Sequence, residues 1–382
     1  MKIVNFAGFR AAAKDRLPNF LFEYIDGVSY DERTLHRNVE DLKSVILRQR
    51  VLRDVSKINT AIRLFGRDMA IPVALAPVGI AGFFRRRGEV QAVRAAEAAG
   101  VPMVLSTMSC CPVEEVRAVS AKPFWMQLYM IRDRGFMQDL MARIESAGVD
   151  TLFLTVDLAI NGIRYRDRIG GLAGAQSLVA RPDRLLDILS HPAWALDVGL
   201  IGRPLTIGNV APAMPNGAGL KQFQAWVARN FDPSITYKDI AWLRGHWKGK
   251  LVLKGITDPG DAVRAVDEGM DGIVVSNHGG RQLDGSLSSI AALPAVRDAI
   301  AGRMPIMLDG GVRSGLDVLR ALGLGADAVL LGRAWAWALA AKGEAGVAAM
   351  LAIVKEELEV AMALTGQNDV RALDPDLVIA GP

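Results

Sequence analysis

The stretch Gly272-Ile273-Val274-Val275-Ser276-Asn277-His278-Gly279-Gly280-Arg281-Gln282 joins an apolar run to a polar turn. Its first half is β-branched and uncharged, which is typical of a buried strand. A histidine leaves the strand end, two glycines permit a sharp turn, and Arg281 follows three residues after His278. The stretch places a proton acceptor beside a cation, as needed to remove a proton and stabilise an anion. The alternative, a packed histidine beside a solvated arginine, has to be weighed against the rest of the chain.

The apolar run is one of eight strand-like runs that alternate with helical stretches. The runs are 73–76, 103–106, 124–127, 151–155, 251–254, 272–276, 306–309 and 328–331. Helical stretches such as 89–99, 258–268 and 314–322 lie between most of them. Continuous apolar strands alternating with helices predict a closed parallel (β/α)8 barrel, or TIM barrel. A doubly wound open sheet is the alternative, although the chain has neither the Gly-x-Gly-x-x-Gly turn of a nicotinamide-binding half nor a P-loop.

Two segments depart from the alternation, within what we interpret as a single domain spanning 1–382. Residues 1–65 are charged and helical in pattern, and we expect them to cover one end of the barrel. Residues 161–237 form an insertion after the fourth strand that is far longer than an ordinary connection. Between 161 and 231 it carries eight basic and four acidic residues, an excess as large as the net charge of +4 of the whole chain. Such an insertion is typical of a lid or docking surface, and a partly disordered decoration is the alternative.

The composition is that of an ordinary soluble protein, with 51% apolar and 23% charged residues in 382. The small net charge gives no reason to expect nucleic acid but permits contact with an anionic surface. Cys110 and Cys111 are adjacent, which favours ordinary thiols in a reducing compartment over a disulfide or a metal site. The N-terminus has no apolar core of a signal peptide, and no uncharged apolar run reaches the ~18 residues of a membrane span. We therefore expect a cytoplasmic protein that does not cross the membrane.

Polar side chains at the strand ends indicate an active site, because barrel enzymes place theirs where the strands end. Seven of the eight predicted ends carry polar or charged residues. They include Ser106, Gln127, Tyr129, Thr155, Asp157, Lys254, Ser276, His278, Asp309, Arg313 and Arg333. A barrel built only for stability does not require this pattern.

The last two strand ends predict a phosphate site. Gly310-Gly311 followed by Arg313, and Gly332 followed by Arg333, offer backbone N–H groups and two guanidinium groups. Polar residues on the other strands can then line a flat heterocycle attached to that phosphate, namely Ser106, Gln127, Thr155 and Lys254. Flavin mononucleotide (FMN) suits this arrangement, and a lysine near flavin N1 would favour the anionic reduced ring.

With these residues at its strand ends, the chain resembles the FMN-dependent L-2-hydroxy acid dehydrogenase/oxidase family, and most closely its bacterial quinone-linked L-lactate dehydrogenases. The most specific signature is Ser-Asn-His-Gly-Gly-Arg-Gln-Leu-Asp at 276–284, and the resemblance extends from 22–24 to 331–333. The stretches 88–92, 164–167 and 230–234 most resemble the lactate enzymes.

The resemblance implies a role for each matching residue. His278 would be the base and Asp157 would stabilise its imidazolium form, whereas no residue is expected to bind a metal. The substrate would contact Tyr24, Tyr129, Arg164 and Arg281. FMN would contact Pro77, Val78, Gly79, Ser106, Gln127, Thr155, Lys254, Ser276, Asp309, Gly310, Gly311, Arg313, Gly332 and Arg333.

The resemblance also implies partners, and it leaves the subtype open. We expect oxidation of a small L-2-hydroxy acid, most simply L-lactate, with electrons passed to a membrane quinone. The enzyme would be a homotetramer, peripheral on the inner face of the cell membrane. Met108 replaces the bulky aromatic residue usual in the oxidases, Gly79 stands where several relatives have alanine, and the loop at 157–162 is nearer the mandelate dehydrogenase loop. An oxygen-using oxidase and a mandelate-type dehydrogenase thus remain alternatives, and an FMN-barrel isomerase or a non-catalytic barrel is disfavoured.

Overall fold

A computed structural model describes residues 3–170, 182–203, 205–214, 226–227 and 229–381. Its centre is a sheet of eight parallel strands, with each neighbour in the chain also a neighbour in the sheet. A bridge between Leu75 and Met103 joins the first and last strands of that order and closes the barrel. The (β/α)8 prediction is therefore confirmed.

The described residues form eight barrel strands and four short strands outside the barrel. Two small pairs lie outside it: β1 (Ile46–Leu47) with β12 (Val378–Ala380), and β2 (Ile62–Leu64) with β3 (Arg67–Met69). The barrel strands are β4 (Val73–Leu75), β5 (Val104–Leu105), β6 (Trp125–Tyr129), β7 (Thr151–Thr155), β8 (Lys250–Ile256), β9 (Gly272–Val275), β10 (Ile306–Asp309) and β11 (Ala328–Leu331).

The helices form a cover, a ring around the barrel and part of the insertion. The cover helices are α1 (Phe6–Arg16), α2 (Asn19–Asp26) and α3 (Arg33–Ser44). The insertion contains α8 (Tyr165–Gly170), α9 (Pro182–Leu189) and α10 (Pro192–Trp194). The others are α4 (Ala81–Phe84), α5 (Gly88–Ala98), α6 (Val113–Val119), α7 (Arg134–Ser146), α11 (Tyr237–His246), α12 (Pro259–Asp267), α13 (Ser289–Ile300), α14 (Gly315–Gly323) and α15 (Arg333–Leu364).

Within residues 1–65, the helices end at Ser44. The chain after α3 runs extended and then forms the β2–β3 hairpin, whose turn residues Phe65 and Gly66 both have positive φ. Phe65 packs edge-on against Trp125 and Phe153, with ring centroids 5.7 and 6.1 Å away. Leu64, Phe65 and Met69 of the hairpin belong to one buried apolar cluster with inward-facing side chains of the barrel strands. The hairpin thus fills the N-terminal mouth of the barrel with apolar side chains.

The insertion lies against the cover helices. Trp194 is buried, packs edge-on against Phe20 of α2, and donates its indole N–H to the carbonyl of Phe83. Asp197 accepts from Arg16 of α1 at 3.0 Å. Residues 171–181, 204, 215–225 and 228 of the insertion lie outside the described residues, whereas its middle third contains the end of α9, all of α10 and a helical turn at Ala195–Leu200. Among the helices described, none is long and apolar enough to cross a membrane.

Candidate active site

A cavity of about 640 Å³ lies over the C-terminal ends of the barrel strands. All of the predicted site residues except Gln127, Asp157 and Ser276 line its wall. Each of those three makes a hydrogen bond to a residue that does line the wall. The cavity therefore brings together residues from every part of the predicted site.

His278 and Asp157 form a pair at one side of the cavity, with their side chains 19% and 12% exposed. Nδ1 of His278 lies 2.8 Å from Oδ1 of Asp157. Burial would raise the pKa of Asp157, but the neighbouring His278 and its hydrogen bond outweigh this and lower it. Because an ionised carboxylate can only accept, Nδ1 carries the proton and Nε2 is left as the basic atom. His278 has the arrangement of a general base oriented by a carboxylate.

The turn that presents His278 has an unusual backbone. His278, Gly279 and Gly280 have φ of +58°, +63° and +82° in succession. Glycine adopts this region freely, whereas a histidine held there costs on the order of 1–3 kcal/mol. Such strain persists only where surrounding contacts enforce it, and it is common at active sites.

Two arginines and a tyrosine face the same part of the cavity from different segments. Arg281 donates to the carbonyls of Tyr24 and Gly27 at 2.7 and 2.9 Å, and its guanidinium lies 4.9 Å from the centre of the Tyr24 ring. Arg164 enters from the insertion just before α8. Burial and the proximity of Arg164 lower the pKa of Arg281, so the two cations are crowded together and suit a bound carboxylate.

Asp167 and Phe231 belong to the site but carry no role in the sequence prediction. Asp167 is buried, pairs with Arg164 at 3.2 Å, and lines the cavity. Burial raises the pKa of Asp167 in spite of that pairing, and its Oδ1 has no hydrogen-bond partner in the part of the chain described. Phe231 lies 5.0 Å from Tyr129, ring centre to ring centre. Their only signal in the sequence is that both fall within the stretches that resemble the lactate enzymes.

Lys254 is held at the centre of the strand ends by two partners. Its ammonium lies 2.9 Å from Oδ2 of Asp309 and donates to Oγ of Ser276 at 3.0 Å. Burial would lower the pKa of Lys254, but the carboxylates of Asp309 and Asp157 outweigh it and raise the pKa. Lys254 is thus a permanent cation on the cavity wall. Ser276 acts from behind it and also accepts the backbone N–H of His278 at 3.0 Å.

Gln127 links two other strand ends without reaching the cavity wall itself. Its Oε1 accepts from the hydroxyl of Ser106 at 3.2 Å, and its Nε2 donates to the hydroxyl of Thr155 at 3.0 Å. Both hydroxyls line the cavity. The hydroxyls of Ser106 and Thr155 can therefore bond to one edge of a planar ligand, and Gln127 fixes their directions.

Arg313 and Arg333 follow the last two barrel strands and line the same cavity. Burial lowers the pKa of Arg313 to about 10 and lowers that of Arg333 well below its usual range. Arg313 lies 5.0 Å from the centre of the Trp337 ring, and Arg333 donates from Nε to the carbonyl of Ile25 at 3.1 Å. Nη2 of Arg333 has no partner among the described residues, although it is buried. Two desolvated cations with a free donor fit a bound phosphate.

The glycine turn beside these arginines also fits a phosphate. Gly310 and Gly311 have φ of +98° and +91°, and a Cβ on Gly311 would lie 1.9 Å from the carbonyl oxygen of Asn38. Only glycine can make this turn without strain, and α15 begins at Arg333 with no side chain capping its first N–H groups. Cations, a glycine turn and a helix start are together the parts of a phosphate cradle. The residues present therefore fit FMN.

Comparison with known proteins agrees with this geometry. A family model described as FMN-dependent dehydrogenase matches residues 13–380. The chain is 57% identical to an L-lactate dehydrogenase of Caulobacter vibrioides over 370 residues, which cover 97% of this chain and 96% of that protein. It is 53% identical to an L-lactate dehydrogenase of Pseudomonas aeruginosa, with 97% of each chain covered.

Solved structures similar to the chain are enzymes that act on mandelate. One is described as a monotopic membrane protein, (S)-mandelate dehydrogenase, with a TM-score of 0.92, 33% identity and 99% of each chain covered. Another is a mandelate oxidase with a TM-score of 0.82, 39% identity, and coverage of 97% of this chain and 96% of that one.

Proposed function

The chain belongs to the FMN-dependent dehydrogenase family, and we propose that it oxidises an L-2-hydroxy acid, L-lactate first, and passes the electrons to a membrane quinone. The observation that carries the proposal is the meeting of His278, Arg164, Arg281, Tyr24 and Tyr129 around one end of the cavity. A base beside two cations and two phenols matches an acid that also carries a hydroxyl group.

The arginines orient the substrate. Arg281 is fixed by two backbone carbonyls, so its remaining donors can pair with a carboxylate without first losing much rotational freedom. Arg164 approaches from the insertion and supplies a second cation. Tyr129 remains protonated, since burial and the nearby Asp157 raise its pKa, and its hydroxyl can donate to the substrate.

His278 removes the proton. Nε2 accepts it from the substrate, and the imidazolium formed is stabilised by ionised Asp157 at 2.8 Å. FMN, when bound, supplies the acceptor for the two electrons. It would be held by Arg313, Arg333 and the Gly310–Gly311 turn at its phosphate and by Lys254, Ser106 and Thr155 at its ring, with Pro77, Val78, Gly79 and Gly332 along the wall.

The quinone part of the proposal is supported by the outer surface of the insertion. Exposed leucine and isoleucine side chains lie on it, although its inner side packs on the cover helices: Leu185, Leu186, Leu189, Leu196, Leu200 and Ile201. Arg16, Arg85 and Arg86 surround the single carboxylate of Asp197 nearby, which leaves an excess of positive charge. An apolar surface with a basic rim suits an anionic membrane, the place where a quinone is found. This surface supports the proposal that the enzyme is peripheral on the inner face of the cell membrane.

The reaction is tested by mixing the oxidised holoenzyme anaerobically with L-lactate, glycolate or (S)-mandelate and following the flavin absorbance. We expect bleaching with L-lactate, and turnover with a soluble quinone far above turnover with oxygen. The absence of bleaching with all three acids would reject the hydroxy-acid reaction, whereas efficient turnover with oxygen would make the protein an oxidase.

The docking surface is tested by replacing Leu186 and Leu189, which are 67% and 64% exposed, with glutamine. Binding to vesicles containing anionic lipid should weaken about tenfold or more, because two apolar side chains no longer enter the bilayer. The matched control replaces Val360 and Leu364, which are 53% and 58% exposed at the far end of α15. Equal vesicle binding by both double variants would reject the docking role, and flavin bleaching should be unchanged in either.

A larger aryl hydroxy acid is the second candidate substrate. The observation in its favour is the apolar wall of the cavity, where Leu158, Val227 and Phe231 lie near Tyr129. A higher kcat/KM for (S)-mandelate than for L-lactate in the same panel would favour it.

A further inference from the structure

The turn that carries His278 is held in place from outside the barrel. Asn277 precedes the three residues with positive φ, and its side-chain Oδ1 accepts the N–H of Gly280 at 3.1 Å. The amide of Asn277 therefore spans the turn from its first residue to its last. A turn this compact can hold a strained histidine only if Asn277 is itself fixed.

Asn277 is fixed by Asn38 of α3. The two side chains exchange hydrogen bonds, with Asn38 Nδ2 donating to Asn277 Oδ1 at 2.9 Å and Asn277 Nδ2 donating to Asn38 Oδ1 at 2.8 Å. Both residues are buried, and Asn38 is fully so. Two parallel bonds between planar amides determine orientation as well as distance, and burial removes the water that could replace them.

Asn38 also contacts two neighbouring elements. Its Oδ1 accepts the N–H of Ser289 at the start of α13 at 3.1 Å. The hydroxyl of Ser289 accepts the N–H of Asn277 at 3.3 Å, so the three residues form a closed network. The carbonyl of Asn38 occupies the space in which a Cβ on Gly311 would lie. α3 thus contacts both the turn that carries His278 and the Gly310–Gly311 turn.

We propose that Asn38 is a positioning residue for the proton-transfer step: its amide pair with Asn277 holds His278 in the left-handed conformation that directs its ring toward Asp157 and the cavity. The N-terminal cover is then part of the catalytic apparatus and not only a lid on the barrel. The inference rests on the proposed function through the role of His278, although the geometry of the turn can be measured independently.

Asn38→Ala tests the proposal in the holoenzyme. We expect kcat for L-lactate to fall about 10- to 100-fold, because small displacements of a catalytic group have effects of that size. KM should change by less than about threefold, since Arg164 and Arg281 are untouched. The kinetic isotope effect with L-lactate deuterated at C2 should change too. Asn38→Ser is the milder variant, because it keeps a polar side chain at this position. Its short hydroxyl cannot replace both amide hydrogen bonds, so kcat should again fall.

Histidine NMR provides a readout that does not depend on turnover. The chain has four histidines, so ¹⁵N-histidine labelling gives a spectrum simple enough to assign. The low-field Nδ1 proton of His278, bonded to Asp157, should shift or broaden in both Asn38 variants.

Asp41→Asn is the matched control. Asp41 lies on the same helix and accepts from Ser288 at 2.5 Å, but it makes no bond to the His278 turn. Asp41→Asn should lower the melting temperature slightly, because the hydrogen bond from Ser288 is weakened. It should leave kcat and the NMR signal unchanged. An unaltered Nδ1 signal and kcat in Asn38→Ser would overturn the proposal. If no acid bleaches the wild-type flavin, the proposed function fails, whereas the NMR result still decides the positioning role.

Discussion

Two parts of the cavity hold their charges in different ways: the part proposed for the substrate and the flavin ring, called the substrate end, and the part proposed for the phosphate, called the phosphate end. At the substrate end, three carboxylates with little exposure each face a base: Asp157 faces His278, Asp309 faces Lys254 and Asp167 faces Arg164. At the phosphate end, Arg313 and Arg333 form no ion pair within the described chain and instead meet carbonyls and an indole ring. The first end is nearly balanced apart from Arg281, and the second is a concentrated positive charge.

This difference indicates what each end binds. Two buried, unpaired guanidinium groups are costly unless an anion of two charges accompanies them, which is the charge of a phosphate monoester. One surplus cation, Arg281, requires only a single carboxylate. Substitutions that alter the balance at one end should therefore change cofactor affinity, and those at the other should change turnover or substrate choice.

The largest effect is expected for His278→Gln, which removes the base and leaves the phosphate end intact. Flavin reduction should slow by about 10²- to 10⁴-fold, the usual contribution of a general base. The flavin content after purification should match the wild type, as measured from absorbance. His246→Gln, at an exposed histidine stacked on Trp242, is the control. Near-normal reduction by the His278 variant would remove His278 as the base.

Arg333→Leu addresses the other end. The dissociation constant for FMN should rise about 10- to 100-fold, because a buried charge-assisted hydrogen bond is lost. Titration of the apoprotein with FMN, followed by flavin fluorescence, measures this change. Arg303→Leu is the control, since that side chain contacts only carbonyls at the end of α13. Unchanged FMN affinity would contradict the assignment of the phosphate end.

The change in kcat/KM at acid pH should depend on the pair formed by Asp157 and His278. Pairing with His278 lowers the pKa of Asp157 despite burial, so Asp157 stays charged above its ordinary value near 4 and loses its charge only below it. Asp157 therefore adds no slope of its own to the profile above about pH 4.5. The kcat/KM for L-lactate should fall with a slope no steeper than one as the pH falls, because a single general base is required in its unprotonated form. A slope of two would indicate that Asp157 titrates as well.

Asp167→Asn should have the smallest effect on turnover and a selective effect on substrates. Loss of the carboxylate leaves both Arg164 and Arg281 unbalanced, so a second negative charge on the substrate is better tolerated. The ratio of kcat/KM for L-malate to that for L-lactate should rise about tenfold. Asp232→Asn, at a surface turn, is the control. A constant ratio would show that Asp167 does not set the charge preference.

The barrel and most of its site could be predicted because both depend on local patterns. Apolar runs identify the strands, and the polar residue after each run falls in the site, since the strands end at one rim. Asp167 and Phe231 could not be assigned roles, because their places depend on the path of the insertion. Asn38 was missed for a similar reason: its partner Asn277 lies 239 residues away along the chain. The hairpin at 62–69 was missed because its alternation is short and its turn depends on a positive φ at Phe65.

The hairpin that packs Phe65 between Trp125 and Phe153 has a consequence for the order of events. With that mouth filled, hydroxy acid, keto acid and electron acceptor must all use the opposite opening. The keto acid then has to leave before an acceptor can approach along the same path. Initial rates measured at several quinone concentrations should give parallel double-reciprocal lines, the pattern of an enzyme that alternates between two forms.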